Sequence, residues 1–173
     1  MNVKKLIALL LAVLMVIGVT ACGKGNDQPE AKKDSVVIAI GSEPETLDPT
    51  QGWGHGNSPI VQSTLVRYKS DLTFANDLAT GYELSPDGLV WTFKIRDDVK
   101  FTDGEPLTAK DVAFTINTIN ESKKSQADLS SVKKAVAVDD TTVEFHMSKP
   151  NNTLLYTLAV VGIVPEHAYD NNY

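Results

Sequence analysis

SPDGLVWTFKIRDDVKFTDGEPLTAKDVAFT, residues Ser85–Thr115, decides the fold, because three kinds of local signal follow one another within it. Asp87-Gly88 is a tight-turn dipeptide. After it, Leu89, Trp91, Phe93 and Ile95 alternate with Val90, Thr92, Lys94 and Arg96, the two-residue period of a half-buried strand. That alternation places Trp91 and Phe93 in a core rather than on a stacking surface for a ligand. Val99 and Phe101 extend a second strand or its edge. Asp103-Gly104 and Pro106 then interrupt the chain. Thr108 stands three residues before Asp111 in capping-box spacing, and Val112, Ile116 and Ile119 follow at helical spacing. A helix is therefore expected from about Ala109.

The same stretch holds Asp103, Glu105 and Asp111, a set that invites a metal or acid–base reading. An oxygen-ligand calcium loop needs acids at regular spacing and a closing Glu, and neither occurs here. Each acid has a local duty instead. Asp103 makes the turn, Glu105 is solvated, and Asp111 caps the helix and meets its positive end.

Outward from this centre the pattern remains mixed helix and strand, an α/β (α+β) arrangement. VVIAI (Val36–Ile40) reads as a buried strand stopped by Gly41. SEPETLDPTQGWGHGN (Ser42–Asn57) is a long Gly- and Pro-containing loop, and such loops inside compact domains are often functional. Ser58 and Pro59 resemble a helix start, with Ile60, Val61, Thr64 and Leu65 on one face. That start would put GWGHG at the positive end of a helix, a place suited to an anion. KKAVAVDDTTVEFHM is a hairpin turning at Asp139-Asp140, with Val143, Phe145 and Met147 on one face and His146 on the other. Towards the end, Asn152 is expected to cap a short helix through Leu158, VVGIV forms a buried strand or turn, and Pro165 opens a further helical turn.

The N-terminus is of another kind. MNVKK is a short positive region, and Leu6–Val19 is a continuous apolar run too short for a spanning helix. Small residues and Cys22 follow, so residues 1–21 fit an export signal. The single cysteine cannot form an internal disulfide. Its position directly after an apolar-Thr-Ala sequence resembles a bacterial lipobox, with Cys22 becoming the lipidated first residue. The alternative is an ordinary signal peptide followed by a free thiol. Acyl chains on Cys22 would hold the protein at the outer face of a membrane. Residues 22–35, almost without apolar side chains, read as a flexible tether, and the folded part runs from 36 to 173.

Composition narrows function mainly by exclusion. Net charge is -6, and removal of the signal takes away lysines but no acids. Such a surface argues against nucleic acid as a partner. No G-x-S-x-G motif is present, Cys22 is the only thiol, and no paired carboxylates sit in an apolar setting. The three histidines, His55, His146 and His167, follow no zinc spacing, and GWGHG lacks the G-K-[ST] ending of a phosphate loop.

Taken together, ETLDP (Glu45–Pro49), DLATGYELSPDGLVWTFKIRDDVKFTDGEPLTAKDVAFT (Asp77–Thr115), VKKAVAVDDTTVEFHMSKP (Val132–Pro150) and IVPEHAY (Ile163–Tyr169) resemble one family closely. It is solute-binding family 5, the dipeptide, oligopeptide and nickel class serving ATP-binding-cassette importers. LATGYELS departs modestly from the commoner proline-containing form of that segment. The resemblance implies lobe one of a two-lobed, type II periplasmic-binding-protein fold, captured here as an incomplete N-terminal part. It implies a substrate-binding lipoprotein, not an enzyme, that delivers small peptides or a nickel chelate to permease subunits, with no cofactor and no resident metal. In the nickel branch metal arrives inside a small chelator, so few protein ligands are needed. The competing functions are a peptide-sensing lipoprotein of the pheromone-receptor type and an exported, lipid-anchored enzyme.

Within this frame Trp53 and His55 are the candidate ligand contacts, since their Gly-rich loop lies where the family's cleft is approached. Trp covers apolar or peptide surface, and His ligates metal or bonds a carboxylate. The bland reading has Trp53 packed against the domain and His55 in solvent. A cleft needs two walls, so this chain alone is expected to bind solute weakly or not at all.

Overall fold

The structure, a computed structural model, describes residues 37, 46–52, 59–122 and 124–169. The chain divides into two compact units, Met1–Gly41 and Ser42–Tyr173, and apart from Val37 the described residues belong to the second. Of the strand expected over Val36–Ile40 only Val37 is described, and it is exposed and outside any strand.

Among the described residues two antiparallel sheets form. The smaller pairs β1 (Val66–Tyr68) with β2 (Phe74–Asn76). The larger holds β3 (Ala79–Leu84), β4 (Val90–Ile95), β5 (Val132–Asp139) and β6 (Thr142–Met147) in the order β3-β4-β6-β5. Helix α1 (Ala109–Ser122) lies between β4 and β5 in the chain, and α2 (Leu154–Leu158) and a 3-10 turn (Glu166–Ala168) close it. The expected mixture of helix and sheet is therefore met.

The larger sheet forms where the alternation placed it. Trp91, Phe93 and Ile95 are buried, and across the β4–β6 ladder Trp91 faces Phe145 while Phe93 faces Val143. The Phe93 and Phe145 rings lie 5.1 Å apart, and Trp91 stacks on Phe93 at 6.1 Å. Full burial of each such side chain is worth about 1.5–3 kcal/mol. The turn into β4 works as its sequence requires: Gly88 takes φ +71°, a conformation glycine adopts without strain, and the Asp87 carboxylate accepts the Leu89 N–H at 3.0 Å. Helix α1 lays Val112, Ile116 and Ile119 on the apolar face of β5 and β6. Asn117 exchanges two 2.9 Å bonds with the Ala135 backbone, and Asn120 donates to the Val132 carbonyl at 2.9 Å. These side chains satisfy edge-strand groups that water or another chain would otherwise take.

Several local expectations are corrected. Residues 59–65 form bends rather than a helix, with Ser58 itself outside the described residues. Ile60 and Val61 are exposed, whereas Thr64 and Leu65 are buried. The Thr64 and Leu65 carbonyls accept N–H groups from Asp77, Leu78 and Ala79 at 3.0–3.2 Å, so long-range pairing outcompetes the helical bonds those carbonyls would make. Val99 and Phe101 belong to a bridged turn, where Leu107 N–H bonds the Val99 carbonyl and Phe101 N–H the Glu105 carbonyl. The Asx bond preceding α2 comes from Asn151, whose side chain accepts the Thr153 N–H at 2.8 Å, and not from Asn152. Residues 161–164 are buried apart from a ladder, held instead by single bonds to Ser63 and Thr115.

Candidate functional site

Cys22, Trp53 and His55 all lie outside the described residues. What the structure does describe is how the loop carrying Trp53 and His55 is fastened at both ends. On the entering side, the Asp48 carbonyl accepts the Gln51 N–H at 3.1 Å, closing a turn. Asp48 Oδ1 accepts both the N–H and the hydroxyl of Thr50 at 2.8 Å. Both residues are buried, and Asp48 Oδ2 has no hydrogen-bond partner among the described residues.

Two distant elements clamp this turn. The Ser122 hydroxyl, at the last residue of α1, donates to the Thr50 carbonyl at 3.0 Å. From the chain's other end, the Tyr169 hydroxyl lies 2.9 Å from the Thr50 hydroxyl and accepts the Gln51 side-chain amide at 3.1 Å. Tyr169 is itself set edge-on against Phe114 of α1, with centroids 5.0 Å apart. On the leaving side, Gln62 Nε2 donates to the Leu47 carbonyl at 2.9 Å, tying the two stems to each other. Gly162 sits beneath Gln62 so closely that a Cβ there would come within 2.6 Å of the Gln62 Cβ. A rigid scaffold presenting a loop is a common arrangement for binding.

The acids of the central stretch do shape the chain, as expected, and two of them do more. Asp111 Oδ2 accepts the Thr108 N–H at 2.9 Å and its hydroxyl at 3.2 Å, and Thr108 Oγ1 accepts the Lys110 N–H, so the cap is formed. Its other oxygen accepts the Glu166 N–H at 3.0 Å, across 55 residues. Asp103 bonds the Glu105 N–H within its turn and reaches His167 Nε2 at 2.7 Å. The His167 hydrogen bond holds the Asp103 carboxyl below its ordinary range, and the same bond raises the His167 imidazole above its own. Glu105 is exposed.

His146 sits half-exposed 3.2 Å from Glu144, apart from this system. Among the described residues no three His, Cys, Asp or Glu side chains come together as a metal site. A charged depression beside β3 and β4 gathers Asp77, Lys94, Arg96 and Asp98, but Arg96 and Asp98 neutralise each other through two bonds of 2.6 and 2.7 Å. Reasoning from sequence missed Thr50, Gln62, Gly162 and Tyr169, because each makes its decisive contact with a residue distant in the chain.

Comparison with known proteins accords with this architecture. Residues 73–173 match the model of the bacterial extracellular solute-binding proteins, family 5 middle region, and the chain belongs to that family. The family is one of binding proteins, not enzymes. Protein XP55 of Streptomyces lividans is 39% identical over 165 residues, which cover 90% of this chain and 30% of that protein. The probable D,D-dipeptide-binding periplasmic protein DdpA of Escherichia coli is 32% identical over 155 residues, covering 80% of this chain and 30% of its own length. The crystal structure of NikZ from Campylobacter jejuni in complex with Ni(L-His) superposes with a TM-score of 0.70 at 29% identity, over 80% of this chain and 29% of that one. The fold is thus that of part of a periplasmic-binding-protein lobe, and the chain spans about 30% of the length of these curated relatives.

Proposed function

We propose that this chain is part of the solute-binding component of an ATP-binding-cassette importer, capturing a small peptide or a metal chelate outside the cell without altering it. The observation that carries the reading is the family match over residues 73–173, supported by the fold it shares with a nickel–histidine binder. The relatives narrow the ligand class. One is named for D,D-dipeptides and another was crystallised with nickel bound to histidine. Both ligands are built from amino acids, and peptides stand slightly ahead as the commoner cargo.

Within this reading, residues 1–21 direct export, Cys22 carries the lipid anchor, and residues 22–35 space the folded part from the membrane. Trp53 and His55 contact the ligand from a loop whose stems are clamped by Tyr169, Ser122 and Gln62. The chain in hand supplies one wall of the cleft, and permease subunits receive the loaded protein.

Native mass spectrometry of the protein made in its own host tests the assignment. The expected spectrum shows a lipid-modified Cys22 and a non-covalent adduct with the mass of a short peptide or a chelated metal. A protein with an unmodified N-terminal signal, or one that carries no small adduct after gentle isolation, would contradict it.

A further inference from the structure

Val161–Tyr169 contains only a three-residue 3-10 turn, yet it is held at five places. Ile163 N–H bonds the Ser63 carbonyl at 3.0 Å, and Val164 N–H bonds the buried Thr115 hydroxyl at 3.1 Å. Glu166 N–H bonds Asp111, His167 meets Asp103 at 2.7 Å, and Tyr169 grips Thr50 and Gln51. The segment is a strap laid across α1. It ends on the turn that leads into the candidate loop.

We propose that this strap is a pH-dependent clasp, in which protonated His167 seated on Asp103 keeps the 165–169 turn closed and so holds Tyr169 on the Thr50–Gln51 stem. His167 is the strap's one histidine, the side chain whose ordinary titration lies nearest neutral pH. Among the described residues the groups facing it are acidic or uncharged: Asp103 and Glu105 from the 101–106 turn, Asp111 from α1, and the Phe101 ring set edge-on at 5.6 Å. No basic group stands among them to replace the imidazolium charge. A neutral imidazole keeps a hydrogen bond to Asp103 but loses the charge that three carboxylates favour.

The sign follows from the shifts. His167 binds its proton more tightly in the closed strap than its ordinary value of 6.5, so its contribution is complete below that value and lost as pH rises through the raised one. Asp103 is shifted below its ordinary 3.8, so its contribution is lost only in strong acid, as pH falls through the lowered value. The clasp is closed between these limits. Both side chains are nearly half exposed, so water and salt weaken the pair and the effect is modest.

Amide hydrogen exchange of the 173-residue chain, read residue by residue by NMR and corrected for intrinsic rates, tests this without any ligand. Protection of the Glu166 and Tyr169 amides should fall about threefold as pH rises through the His167 titration, followed on its own ring signals, while the Phe93 amide stays constant. In His167→Gln the strap amides should show low protection at every pH. In Asp103→Asn the titration of His167 should move to lower pH and the loss of protection should move with it, so this variant carries the test if the first does not fold. Strap protection that is the same on both sides of the His167 titration, or a fall that persists in His167→Gln, would overturn the clasp.

Discussion

The larger sheet and the strap-and-stem region occupy the same compact unit but are held by different physics. In the sheet, Phe93, Phe145, Val143 and Ile116 are fully buried, and their cohesion comes from apolar area spread over many contacts. In the strap and stems, cohesion comes from individual polar atoms: Thr115 to Val164 across 49 residues, Asp111 to Glu166 across 55, Thr50 to Tyr169 across 119. The first kind of region degrades gradually as volume is removed. The second fails bond by bond, and a donor left buried costs more than the bond contributed. The proposed ligand contacts, Trp53 and His55, belong to the segment whose ends are held by the second kind.

Substitutions can break or sharpen this contrast. Phe93→Ala, which empties the centre of the sheet, should lower unfolding free energy by about 3–5 kcal/mol in urea titration. Next comes Asp111→Ala, which removes the helix cap and strands the Glu166 N–H; about 2–3 kcal/mol is expected, together with faster exchange of the strap amides. Thr115→Val keeps the volume but deprives the Val164 N–H of its acceptor, and should cost about 1–2 kcal/mol with exchange accelerated at Val164 and not at Phe93. Arg96→Gln breaks an ion pair that lies open to water and should leave the urea midpoint unchanged. If Thr115→Val proved as damaging as Phe93→Ala, the two regions would form one cooperative core and the contrast would fail.

The same contrast explains what could be read in advance. Strand β4, the Asp87-Gly88 turn, α1 with its cap and the β5–β6 hairpin are written in local periods and short motifs, and each stands where its residues pointed. The stretch from Pro59 to Leu65 carried a helix-like spacing, yet its carbonyls are bonded by residues 77–79, a competition no local window contains. Strands β1 and β2 are three residues each, too short for a period to show. Asp103 and Asp111 were legible as turn and cap because those partners lie within a few positions. Their second bonds, to His167 and Glu166, were not, since nothing around Asp103 marks a histidine 64 residues away. Tyr169 and Gln62 escaped for the same reason. The family resemblance, by contrast, runs through the strand, turn and cap residues, so it is legible in the sequence.

Titration calorimetry on the protein at its natural length, using a D,D-dipeptide, short L-peptides and nickel–histidine, addresses the central claim most directly when the ligand is afterwards recovered and weighed. One saturable event with at least one of these, and a ligand returned at unchanged mass, is the predicted result. A ligand returned chemically altered, or heat that never saturates with any of them, would contradict it.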